Sequence, residues 1–292
     1  MRLAARIVND PGGRTVTCFM RTTIITAALL FLTILVASAP AAENKPVKVL
    51  IITGDHAFHD WKTTTPFIRE TLSKAGMQVD VTETPAKDLT ADNLAKYDAL
   101  LLNYKQKDGG PATRWSEENK KAFADAARGG KGLFVYHFAS AAFVDGDDWE
   151  KEYEQLIAGG WRKQGFHGKR HGYDVTIKES DHPITRDLAG TFHHSNDELY
   201  QNSVVPADAQ VLVTAWSDKK KDPKNTDKNE PMVWVAMRGK GRVCNNAMGH
   251  DVPAMQQSAI FQTLLIRGVE WVATGETHYA VPDSVKAASG SK

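Results

Sequence analysis

The sequence predicts a three-layer α/β sandwich built on a mostly parallel central sheet. Short, mainly apolar runs recur at residues 47–53 (VKVLIIT), 99–103 and 132–136, as expected of strands buried on both faces. Segments with helical spacing separate them, so the order reads as βαβ units. A domain of this size hides roughly three quarters of its unfolded surface, enough for one core.

The elements follow in order. Residues 47–53 form the first strand. Residues 61–75 carry Phe67, Ile68, Leu72 and Ala75 on one side, and Gly76 ends that helix. Residues 79–82 are a strand, 90–96 a short helix and 99–103 a strand. Ser116 caps a helix that runs to Arg128 and closes at Gly129 and Gly130. Residues 132–136 are the next strand, and 148–158 a further helix. Residues 159–173, rich in Gly, His and basic side chains, read as a long surface excursion. Strands are expected at 173–177 and 211–215. The Lys/Asp/Asn run at 217–231 reads as a solvated loop tip. Residues 232–236 and 242–246 form an antiparallel pair, 254–273 a long helix, and 282–292 a disordered tail.

Residues 1–41 read as a leader. Met20 and Arg21 precede an uncharged apolar run at 24–36 and the small residues ASAPAA at 37–42, the pattern of a cleavable signal peptide. The run is short for a spanning helix, which needs about 20 residues. The expectation is therefore an exported protein, periplasmic or extracellular, with no membrane span in its mature part. The domain proper is 42–281. The formal net charge of +1 gives no electrostatic reason to expect nucleic acid as a partner. Of the two cysteines, Cys18 lies in the leader, which leaves Cys244 without a disulfide partner. A homo-oligomer is compatible with the sequence.

In open parallel sheets ligands bind beyond the carboxyl ends of the strands. After the first strand come His56 and His59, which could bind a metal or hold a sugar, and Asp60, which also suits a helix cap. After the fourth comes His137, where strand-to-helix turns of many α/β enzymes lift a nucleophile clear of the sheet. No thiol is near, so an imidazole there either moves a proton, ligates a metal or simply bonds a backbone carbonyl in the core. His167 and His171 sit in the excursion, as a lid or as a solvated loop. His193, His194, Asp197 and Glu198 lie between the apolar anchors Phe192 and Leu199, turned into a cleft or idle at the surface. His250 follows a strand late in the chain and could face His137 across the cleft. Cys244 reads as a buried strand residue rather than a nucleophile. Trp61, Trp149, Trp161 and Tyr200 offer faces on which sugar rings could stack.

The ordered set GDHAFHDW, GLFVYHFASAAF, HPIT, DELY, EPMVWVAMRGKGRVCNNAMGHD and RGVEWVATG resembles the ThuA-like (trehalose utilisation) family over almost the whole mature chain. The resemblance implies a class I glutamine amidotransferase-like (flavodoxin-like) fold that has lost its catalytic Cys. It also implies a role in disaccharide and glycoside catabolism, notably through 3-keto sugars. It points to His56, His59, His137, Asp197, Glu198, His250 and Asp251 as site positions, while His182 in HPIT fixes a turn.

The expected chemistry is acid–base processing of an oxidised glycoside, by elimination or hydrolysis. His137, Glu198 and His250 are the catalytic candidates. His59, Trp61, His167 and Tyr200 would contact the substrate. A divalent metal is compatible, with His56, His59, Asp197 and Asp251 as ligand candidates. The alternative is a non-catalytic carbohydrate-binding module on the same fold.

Overall fold

The structure is a computed structural model and describes residues 45–54, 58–105, 112–144, 148–188 and 190–286. The leader, His56 and residues 287–292 lie outside the described residues. In chain order the strands are β1 (Lys48–Gly54), β2 (Gln78–Thr82), β3 (Ala99–Tyr104), β4 (Gly132–Tyr136), β5 (Phe166–His167), β6 (His171–Ile177), β7 (Thr191–Asp197), β8 (Tyr200–Gln201), β9 (Gln210–Trp216), β10 (Asn229–Arg238) and β11 (Gly241–Asn246). The helices are α1 (Trp61–Lys74), α2 (Pro85–Asp88), α3 (Ala91–Leu94), α4 (Glu117–Gly129), α5 (Glu150–Leu156), α6 (Val252–Gln256) and α7 (Ala259–Thr274).

The main sheet has the order β2-β1-β3-β4-β11-β10-β9-β6-β7. The first five of these strands are mutually parallel, and the remaining four continue the sheet in antiparallel pairs. Alternation along β1 shows why the sheet is covered on both sides. Val49 and Ile51 pack with Ile68 and Leu72 of α1 and with α7, whereas Leu50 and Ile52 pack with Phe123 of α4 and Leu156 of α5. The result is an α/β sandwich with a large central sheet between two helical layers. The helix α4 starts where Ser116 predicts, on a reciprocal capping box with Asn119.

Several expectations change. The helix expected over 254–273 is two helices. Asp251 caps α6 and Ser258 caps α7, so the chain turns between them. Asp60 precedes α1, but its carboxylate makes no capping bond. The excursion at 159–173 is structured: it carries β5, which pairs with β8, and the start of β6. Strand β7 has too polar a sequence to read as a buried strand, because it lies at the edge of the sheet. The chain after Pro282 forms a short 3-10 turn at Asp283–Val285, and Val285 packs into the core. The Lys-rich loop after β9 has a buried base, where Asn225 bonds Gln201 and the carbonyl of Asp218. No helix among the described residues is long and apolar enough to cross a membrane.

Candidate functional site

His137 stands at the carboxyl end of β4, on the first residue of a 3-10 turn, His137–Ala141. Its φ of 42° is a left-handed conformation that a residue with a Cβ adopts only at a cost. The turn is held from several sides. Ser140 Oγ donates to the His137 carbonyl at 2.9 Å, the Tyr153 hydroxyl to Ala139 O at 2.8 Å, and Arg162 to Ser140 O at 2.7 Å. The ring lies 2.7 Å through Nδ1 from the carbonyl of Ala247 and stacks on Tyr200 with centroids 4.3 Å apart. A carbonyl only accepts, so Nδ1 carries the proton and Nε2 presents a lone pair.

Three further segments meet that lone pair. The loop after β1 brings His59, whose ring stacks on Phe138 at 4.4 Å and lies 4.8 Å from His250. The end of β11 brings His250. The end of β7 brings Glu198, which sits among the rings. Glu198 Oε2 is 3.4 Å from His137 Nε2 and 3.8 Å from His59 Nε2. Glu198 Oε1 is 3.1 Å from His250 Nδ1 and 3.5 Å from His167 Nε2. The contacts to His137 and His250 are close but not aligned as hydrogen bonds.

Burial alone would raise the pKa of Glu198. The imidazoles of His137, His250 and His59 outweigh it and hold the carboxyl well below the usual range. Burial lowers His250, but Glu198 beside it reverses the sign, and the net shift is upward. Glu198 is thus a standing anion, and His250 is biased toward imidazolium.

Asp197 has a different task from its neighbour. It is completely buried. Its carboxylate accepts the backbone N–H of Glu198 (2.8 Å), Gly249 (2.6 Å) and His250 (2.9 Å) and the Nε2–H of His194 (2.7 Å). Burial would raise its pKa, but His194, His137 and the Gly249 amide bring it down to about 2. Behind it, the Ser258 hydroxyl donates to His194 Nδ1 at 2.8 Å. Gly249 lets the two segments close. Its φ is 101°, and a Cβ there would come 2.7 Å from the ring of Phe261.

His59, His137, His250 and Glu198 offer donor atoms that all lie within 4.8 Å of one another. Neutral imidazole nitrogens with one carboxylate suit zinc or a similar divalent transition metal. Tetrahedral ligands at about 2.1 Å from such an ion stand roughly 3.4 Å apart, close to the separations here. The charge arrangement agrees, since a lone pair on His137 facing an ionised Glu198 repels unless a proton or metal cation lies between them. The carbonyl of Ala247 supplies the outer partner that orients a ligating imidazole.

The metal-ligand candidates therefore change. His56 is outside the described residues. Asp197 has its oxygens committed to backbone amides and His194. Asp251 caps α6 and pairs with Arg170 at 2.6 Å, at the rim. Tyr200 is buried behind His137 and supports that ring rather than facing substrate. Trp161 packs edge-on to Tyr200 at 4.6 Å, whereas Trp149 belongs to an aromatic cluster with Trp115, Phe143 and Tyr153. His171 and His193 stay outside the cluster, their contacts being with Lys169 and Asp174. His182 orients a turn, its Nδ1 accepting the Ile184 amide at 3.2 Å. Cys244 is buried in β11, and burial pushes its thiol far up, so it cannot serve as a thiolate. Sequence reasoning missed the roles of His194, Ser258 and the Ala247 carbonyl. No local pattern marks them.

A cleft of about 480 Å³ opens onto this cluster, lined by Phe58, His59, Asp60, Trp61, Lys62, His250 and Asp251. A cavity of similar size, about 490 Å³, lies on the other side of Trp61 between α1 and β2, but no imidazole lines it.

Among solved structures, a ThuA-like protein of Parabacteroides merdae is similar to this chain with a TM-score of 0.70 at 27% identity, covering 83% of this chain and 95% of its own. One from Bacteroides uniformis gives a TM-score of 0.65 at 21% identity, over 82% and 96%. The carbohydrate deacetylase Agd3 shares the fold at a TM-score of 0.52 and 10% identity, over 77% of this chain and 32% of that one. No curated protein matches the sequence. The family model for trehalose utilisation (ThuA) matches residues 48–272, a span that contains every residue of the cluster, and the chain belongs to that family.

Proposed function

We propose that this protein is an exported enzyme of carbohydrate catabolism that cleaves an oxidised, 3-keto glycoside by proton transfer at the histidine–glutamate cluster. One observation carries the reading: His137 is held on a strained turn with its Nδ1 proton committed to Ala247, so that its free lone pair points at a fixed anion. That is the construction of a base, not of a packing residue.

A 3-keto group acidifies the proton on C2. His137 Nε2 takes that proton, and Glu198 stabilises the imidazolium that forms, without itself accepting the proton. The electron pair of the C2–H bond becomes the C1–C2 double bond as the C1–O bond breaks. His250, biased toward imidazolium, keeps one proton toward Glu198 and gives the other to the departing oxygen. Each well-placed acid or base contributes on the order of 10²- to 10⁴-fold. A divalent cation held by His59, His137, His250 and Glu198 would take the His137 Nε2 lone pair and the Nδ1 position of His250, so its positive charge at the substrate's carbonyl oxygen would replace their proton transfers rather than accompany them. An unoxidised glycoside lacks the acidified C2–H and would need paired carboxylates flanking the bond. Asp197, the carboxylate next to Glu198, does not fill that role, because it is turned to backbone amides.

The test is incubation of the mature protein with 3-keto-trehalose or an aryl 3-keto-glucoside, with and without chelator, followed by assay of the released fragment. Turnover that His137→Ala abolishes while ligand binding survives is the expected result. Binding without turnover in the wild type would overturn it in favour of a binding protein.

A further inference from the structure

From the cleft beside the cluster we infer a second subsite that takes the leaving-side ring of a disaccharide, built from Phe58, Asp60, Trp61 and Lys62. The inference rests on the proposed function and narrows its substrate class to glycosides with a sugar ring on both sides of the cleaved bond.

The cleft of about 480 Å³ shares His59 and His250 with the cluster, so a molecule bound at the imidazoles extends into it. That volume lies within the roughly 300–1,000 Å³ typical of ligand sites and exceeds what one pyranose needs. Its wall carries Phe58, 71% exposed. Trp61 lies beside it, with its inner side on the core and Lys62 Nζ 5.7 Å from its ring centroid. Aromatic rings pack well against the C–H face of a pyranose, which has polar groups only around its edge.

Asp60 is the second observation. It occupies the residue before α1, where a carboxylate ordinarily caps the helix, yet it makes no capping bond and lines the cleft. Asp60 stands against Lys62 here, and the other carboxylate of the cleft, Asp251, is already paired with Arg170, so the site recognises hydroxyls without demanding a charged ligand. The arrangement fits a neutral, polyhydroxylated ring better than an anionic one.

The test is a calorimetric titration of the full-length mature chain carrying His137→Ala, so that nothing turns over. The probes are methyl 3-keto-α-glucoside, with one ring, and 3-keto-trehalose, with two. The two-ring compound should bind about 10-fold more tightly, a gain in the range expected of ring stacking. Phe58→Ala, at a position 71% exposed, should remove most of that ratio. It should leave the one-ring affinity within about twofold. Asp60→Ala should reduce the ratio about threefold, as loss of a hydroxyl contact would. A ratio near one, or a ratio that Phe58→Ala leaves intact, overturns the subsite while the proposed reaction stands. Failure of both compounds to bind overturns the proposed function as well.

Discussion

Asp197 Oδ1 accepts the backbone N–H of His250 at 2.9 Å, and through that bond the end of β7 positions the imidazole that follows β11. The same carboxylate holds Gly249 and Glu198, so one buried anion sets the acid and the central carboxylate of the site together. Four donors converge on it, and none can be satisfied elsewhere without opening the core. Asn in its place puts an N–H₂ against one of these donors and removes the charge. Asp197→Asn should therefore destabilise the fold by about 2–4 kcal/mol, measured as a lowered midpoint in denaturant. An unchanged midpoint would show that Asp197 holds nothing.

Metal binding should follow the geometry. His137→Ala, His250→Ala and Glu198→Gln should each weaken zinc affinity at least about 100-fold, more than the loss of an orienting partner costs. His167→Ala should leave it nearly unchanged, because His167 lies beside Glu198 but outside the four donors. Competition with a chromogenic chelator checks this, and equal losses at all four positions would refute the ligand set.

The thiol should be silent. Cys244 lies in β11 among apolar neighbours, with burial pushing its pKa up. A thiol reagent should label it only after unfolding. Cys244→Ala should keep activity while costing about 1–2 kcal/mol of stability for the cavity it leaves. Rapid labelling of the native protein with loss of activity would revive a cysteine nucleophile.

A pH effect on stability should come from His182. Burial, helped by Arg186, lowers its pKa to about 4 from an ordinary 6.5. The folded state therefore refuses a proton that the unfolded chain accepts. Stability is whole above pH 6.5, falls as pH drops from about 6.5 to about 4, and loses nothing more from this group below that. A tenfold change in proton affinity is worth about 1.4 kcal/mol. Solvent screens this half-buried ring, so the loss is of the order of 1–2 kcal/mol rather than the full electrostatic value. His182→Asn, which keeps an acceptor for the Ile184 amide, should flatten the dependence over that window in thermal melts. An unchanged slope would assign it to other groups.

Local signals made much of this protein legible. The runs at β1, β3 and β4 announce themselves because a strand buried on both faces must be apolar at every position. The helix α4 does so because Ser116 and Asn119 cap it within one turn. The place of His137 is readable for the same reason, as the first residue after a buried strand. What lies at the sheet's edge was not: β7 carries His and Asp on a strand whose outer row needs no apolar cover, so periodicity fails there. The division of labour between Asp197 and Glu198 was equally hidden. Adjacent carboxylates look alike in a sequence, and only the packing of β7 against the turn at Gly249 commits one to backbone amides and leaves the other among the imidazoles. Asp60 looks like a cap because its position suits one, yet its carboxylate makes no capping bond and lines the cleft. Sheet order sets the ends of β1, β4 and β11 near one another, whereas β7 lies four strands beyond β11 and its end reaches the site through the bonds from Asp197 to Gly249 and His250, and no local rule reaches across those distances to say which side chains meet.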